Sequence, residues 1–183
     1  MTDNELLNQT EHIADIFTRI MHKIMMHDLC GSDSEEITQV QFQALKHIAQ
    51  HGPCTIGNIA EGLLISQPAA TMLVDRMVRR DLVDRQTGRS DRRQAEIVLT
   101  ERSTELLTRI ESERIDRLGR ILLVMEPDER RQFMESLERF VSASLKIENA
   151  VDNACLRCGV DHHADCIINQ THLVMAGKDI ERT

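Results

Sequence analysis

The sequence predicts a mainly α-helical fold with one small β-hairpin, and three observations lead there. Apolar residues recur at helical spacing along most of the 183 residues. Aromatics make up only 2% of the chain, with no Trp or Tyr, so the core must come from Leu, Ile, Val, Met and Ala, a set that favours helices. One pair of short alternating segments, Leu82 to Arg85 and Ala95 to Leu99, flanks a polar stretch containing Gly88, the pattern of a hairpin with a long tip.

Each element has its own signal. Ile13, Ile16, Phe17, Ile20, Ile24 and Met25 form the stripe of a first helix over about 8–29, broken by Cys30-Gly31-Ser32. Thr38 caps a second helix carrying Phe42, Leu45 and Ile48, which Gly52-Pro53 ends. Thr55 caps a short third helix with Ile59, Ala60 and Leu63 inside. Ser66 caps a fourth, with Pro68 in its first turn and Met72, Leu73, Met77 and Val78 along it to about Arg80. After the hairpin, Thr100 caps a long helix bearing Leu106, Leu107, Ile110, Leu118, Ile121, Leu122 and Met125. Pro127 opens a last helix with Phe133, Met134, Leu137, Phe140, Val141 and Leu145 inside. Beyond about Glu148 the helical pattern stops.

Two short helices joined by a tight turn and followed by a hairpin constitute a winged helix-turn-helix, whose second helix enters the major groove of DNA. The charge distribution agrees. The chain carries a net charge of −8, yet seven of its 18 arginines lie between Arg76 and Arg93, a local cationic face on an acidic protein.

The segments Ile37 to Leu45, Ile59-Ala60, Ser66 to Arg76, Leu82 to Arg85 and Asp91-Arg92-Arg93 through Leu99-Thr100 together resemble the MarR family of bacterial transcription regulators. The resemblance spans roughly residues 8–147. It implies a homodimer whose first and last helices interlock, and an operator that is an inverted repeat of double-stranded DNA. On this reading residues 1–147 form the family-type unit. The winged helix-turn-helix lies at 37–100 and dimerisation helices at 8–29 and 101–147, while 148–183 form an extension. Ser66, Gln67, Ala69, Ala70 and Thr71 fall where the recognition helix begins, Gln67 being the best placed to read adenine, and Arg76 suits a phosphate. On the wing, Arg89, Arg92 and Arg93 suit the backbone or minor groove, and the family pattern pairs Asp91 with Arg93. Two positions depart from the family. Asp81 stands where glycine is usual and must adopt a left-handed cap, and Ser103 replaces another common glycine.

In the extension, Cys155-x2-Cys158 followed by Gly159 is the spacing of a thiolate pair around one metal, and Cys166 with His162 or His163 completes a Cys3His set for zinc. An iron-sulfur cluster and a metal-free thiol switch are the alternatives. His47 and His51, four apart, read as surface residues, and Cys54 as a small buried hydrophobe. With no apolar run long enough for a bilayer and no signal-peptide pattern, a cytoplasmic protein without a membrane partner is expected. The chain lacks a glycine-rich phosphate loop, a nucleophile elbow or a convincing acid–base pair, so an enzyme is not expected. The expected function is therefore DNA-binding regulation, usually repression, tuned by a small-molecule effector or by the cysteines. A protein-interaction module, or a metal-binding protein without specific DNA recognition, is the alternative.

Overall fold

The computed structural model describes residues 2–26, 37–87, 95–151, 154–155 and 164–180. Nine elements follow in order among them: α1 (Asp3–Met26), α2 (Gln39–His51), α3 (Ile56–Leu63), α4 (Gln67–Arg79), β1 (Val83–Thr87), β2 (Ala95–Leu99), α5 (Glu101–Leu122), α6 (Pro127–Ile147) and α7 (Ile167–Ala176).

Hydroxyl caps decide where the central helices start. Thr38 and Gln41 exchange side-chain and backbone hydrogen bonds in a capping box, as do Thr55 and Asn58, while Ser66 and Thr100 each accept an orphan N–H. Each such cap contributes about 1 kcal/mol. The first helix starts five residues earlier than its apolar stripe suggests, because Thr2 and Glu5 bond each other's backbone N–H groups and carry the helix to Asp3.

One core gathers residues 37 to 110. Phe42, Leu45 and Ile48 of α2 meet Ile59 and Ala60 of α3, Ala70, Val74 and Met77 of α4, Leu82, Val83 and Ile97 of the hairpin, and Leu106, Leu107 and Ile110 of α5. β1 and β2 pair antiparallel from Val83 opposite Leu99 to Thr87 opposite Ala95. On the other side of β2, Cys54 and Ile97 exchange backbone bonds of 3.1 and 2.7 Å, so the segment after α2 adds a one-residue third strand. This burial makes the Cys54 thiol an ordinary hydrophobe, pushing its pKa up to about 11.

Three sequence expectations change. His47 is buried, packed between α2 and α3, whereas His51 alone of that pair stays exposed. Its room comes from Gly62, where an added Cβ would overlap the His47 ring. The stripe of α6 is not inside either: in the isolated chain α6 buries none of its residues, and Met134 and Phe140 stand exposed. Nor does helix stop at Glu148. Cys166 caps α7, and Gly177 ends it in a left-handed conformation. α7 docks on α6 through a 3.0 Å bond from Thr171 to Ser142. Beside it the buried Asn169 donates to the Ala164 carbonyl and the Asp179 carboxylate and accepts from Ile180 N–H. A cysteine cap and a polar anchor leave little helical signal in the sequence, which is why this element was not foreseen.

Because Gly62 leaves room only for the His47 ring, Gly62→Ala is expected to destabilise the fold by about 1–3 kcal/mol. Urea denaturation of the single variant and of Gly62→Ala with His47→Ala checks this, the double variant recovering most of the loss. Burial first, and the neighbouring His51 second, lower the pKa of His47 despite a bond to the Asn58 backbone. The unfolded chain therefore binds this proton more readily than the folded one. The contribution of His47 is complete above its ordinary value of 6.5 and is lost as the pH falls below it. Melting temperatures of the wild type and His47→Gln should accordingly diverge at pH 7 and converge toward pH 5.

Candidate nucleic-acid interface

The fourth helix has two faces that its spacing separates cleanly. Ala70, Val74 and Met77 lie at i, i+4 and i+7 and are completely buried, locking the helix into the core. Ala69, Met72, Arg76 and Arg79 are exposed on the other side, and Ser66 and Gln67 are exposed at the N-terminal end of the helix. Of the side chains expected at the start of the recognition helix, Ser66, Gln67 and Ala69 are exposed and Thr71 is half-buried. Ala70 is neither: its methyl is 0% exposed, so it is a core residue and cannot touch a ligand. Its phase on the helix turns it inward, beside Val74 and Met77.

Local bonds set the remaining side chains. The Ser66 hydroxyl is committed to the backbone N–H of Ala69. Thr71, half-buried, donates to the Gln67 carbonyl at 2.9 Å, which leaves its oxygen lone pairs as acceptors. The amide of Gln67 lies over the first turn of α3, with Nε2 3.5 Å from where a Cβ would stand on Gly57. Met72 is 57% exposed, on the face that carries Ala69 and Arg76. Arg89, Asp91, Arg92 and Arg93 lie outside the described residues.

The ends of α4 are tied down by groups that the sequence did not single out. The turn from α3 passes through Leu64 at φ 54°, a left-handed position held by an Ile65 N–H to Ala60 carbonyl bond of 3.0 Å. At the C-terminal end, the Arg80 guanidinium donates to Gln41 Oε1, the same atom that accepts the Thr38 N–H. Gln41, 4% exposed, thus joins the start of α2 to the end of α4. Asp81 takes the left-handed conformation expected of it, at φ 57°. Thr100 donates to the Asp81 carbonyl and Arg102 to that of Arg80, clamping the corner that glycine would otherwise ease. Ser103, the other replaced glycine, is fully buried and satisfies its hydroxyl on the Thr100 carbonyl. Finally, Asp75 of α4 forms an ion pair with Arg85 of β1.

This unit is joined to the long helix by Lys46 to Glu111, 3.0 Å, and by the Arg114 guanidinium stacked 4.7 Å from the centre of the Phe42 ring. In the extension, Cys155 is buried and Cys166 is half-buried, its sulfur accepting the Asn169 N–H at 3.3 Å. Cys158, His162 and His163 lie outside the described residues, and among the described residues no three metal-binding side chains converge.

Comparison with known proteins agrees with this geometry. Residues 36–94 match the model of the MarR family. The HTH-type transcriptional regulator YkoM of Bacillus subtilis (strain 168) is 22% identical over 137 residues, 75% of this chain and 89% of that protein. Among solved structures, RV1404 from Mycobacterium tuberculosis superposes with a TM-score of 0.65 at 27% identity, covering 79% of this chain and 95% of that one. FabT of Streptococcus pneumoniae, solved in complex with DNA, superposes with a TM-score of 0.61 at 17% identity over 79% of this chain and 99% of its own.

Proposed function

We propose that this chain, whose residues 36–94 match the MarR family model, is a MarR-type homodimeric repressor reading an inverted-repeat operator, with an effector that lowers its affinity. The observation that carries the DNA-binding part is the two-faced α4. Its buried stripe fixes its direction, its first turns offer Gln67 and Thr71 for base edges, and its exposed stripe offers Met72 for a thymine methyl and Arg76 for a phosphate. Arg89, Arg92 and Arg93, with Asp91 orienting Arg93, add the wing's backbone contacts.

The apolar surface left by α1, α5 and α6 supports the dimer. Ile13 and Ile115 are more than 60% exposed in the single chain, as is Phe140, and Phe17 and Ile20 add to the same kind of surface. A second copy related by a two-fold axis would cover these faces and set two recognition helices about one helical turn apart. An effector then acts by changing that separation, and the Lys46–Glu111 and Phe42–Arg114 contacts are where the reading unit would pivot on the long helix.

In the extension, Cys155, Cys158 and Cys166 with His162 or His163 would hold zinc or an iron-sulfur cluster, which when bound supplies a cross-link between the end of α6 and α7. This is a second input to the same dimer.

Two measurements test these readings. With duplex DNA, Arg76→Ala should make the slope of log affinity against log salt shallower by about 0.9, and Arg89→Ala with Arg93→Ala by about twice that. Unchanged affinity and slope in both variants would leave the chain a protein-interaction module. For the extension, metal analysis of anaerobically purified protein should find zinc in a colourless sample or iron in a brown one, lost in Cys155→Ser with Cys158→Ser. Metal-free wild type contradicts the site.

A further inference from the structure

The ion pair between Asp75 and Arg85 has a placement that a simple surface pair lacks. Arg85 stands opposite Ile97 in the hairpin register, and Ile97 is completely buried. Opposed residues of an antiparallel pair project from the same face, so Arg85 points under the wing toward α4. Its neighbours Asp84 and Gln86 project the other way. Asp75 meets it from the edge of α4 between the buried Val74 and the exposed Arg76. Both side chains remain about two-fifths exposed, at 42% and 41%. That is the condition under which a guanidinium with five N–H donors can hold a carboxylate and still offer an edge to a second anion.

We propose that Asp75 and Arg85 form a specificity brace between the recognition helix and the wing, with Asp75 restraining a phosphate-binding arginine. The proposal rests on the DNA-binding reading above. A helix in the major groove and a wing at the adjacent minor groove straddle one phosphate strand, and that strand must pass over the junction where this pair lies. Held by Asp75, Arg85 reaches the strand in a single orientation, which only a correctly seated α4 satisfies. The carboxylate also repels phosphates that approach in other registers, so it suppresses binding to unrelated sequence. Asp75 is a positioning residue in this account, and Arg85 is the contact.

The test compares a duplex recovered by selection from a random pool with a scrambled duplex of equal length, each titrated across a range of salt. Asp75→Asn releases Arg85. Affinity for the scrambled duplex should rise, its salt slope should steepen by about 0.9, and the ratio of specific to non-specific affinity should fall several-fold. Arg85→Lys keeps the charge but not the planar fork, so it should keep the wild-type salt slope and lose discrimination. Asp75→Asn with only a lowered melting temperature, its slope and ratio unchanged, makes the pair purely structural and overturns the proposal. Failure of the wild type to bind either duplex refutes instead the DNA-binding reading beneath it.

Discussion

The arrangement depends on one constraint: the helix proposed to face DNA is also a core helix. Ala70, Val74 and Met77 are each 0% exposed, so α4 cannot rotate about its axis without opening the core it shares with α2, α3, the hairpin and α5. A side chain on its outer face is therefore aimed by packing at its inner face. Cores are close-packed and respond to small volume changes, so aim obtained this way is stiff. The caps at Ser66 and Thr100 and the Arg80–Gln41 bond complete the restraint at both ends of the unit.

How far the sequence anticipated this depended on the kind of signal. Hydroxyl caps at Thr38, Thr55, Ser66 and Thr100 are local, and each starts a helix where the sequence placed it. The left-handed Asp81 was legible only through the family resemblance, which has glycine at that corner. Helix phase is harder to read. Ala70 and Met72 sit in an almost uniformly small or apolar run, and which of them faces inward depends on Leu82, Ile97 and Ile59, far apart in the chain. His47 was misread for a related reason, because the space that buries it is made by Gly62, a residue with no side chain to notice. The Asp75–Arg85 pair needed the hairpin register before its partners could be identified.

The rest of the chain follows a different logic. The core ends near Ile110, and beyond it α5 and α6 present apolar residues such as Ile115, Ile121 and Phe140 to the outside. The long helices thus fold against the unit at one end and leave surface for association at the other. The extension adds a polar anchor instead of a second core. Asn169 and Thr171, each 1% exposed, hold α7 to itself and to Ser142 of α6. With Cys166 at the head of that helix, any change at the sulfur is transmitted to a helix packed on α6. That places Cys166 beside α6, away from the residues proposed to read bases.

The central claim is that two rigidly aimed α4 helices act together on DNA. Selection of binding sites from a random duplex pool tests it most directly. The account predicts enrichment of an inverted repeat whose half-site centres lie about 10 base pairs apart or at a multiple of that spacing. An asymmetric single site, or a pool without enriched sequence, would contradict it.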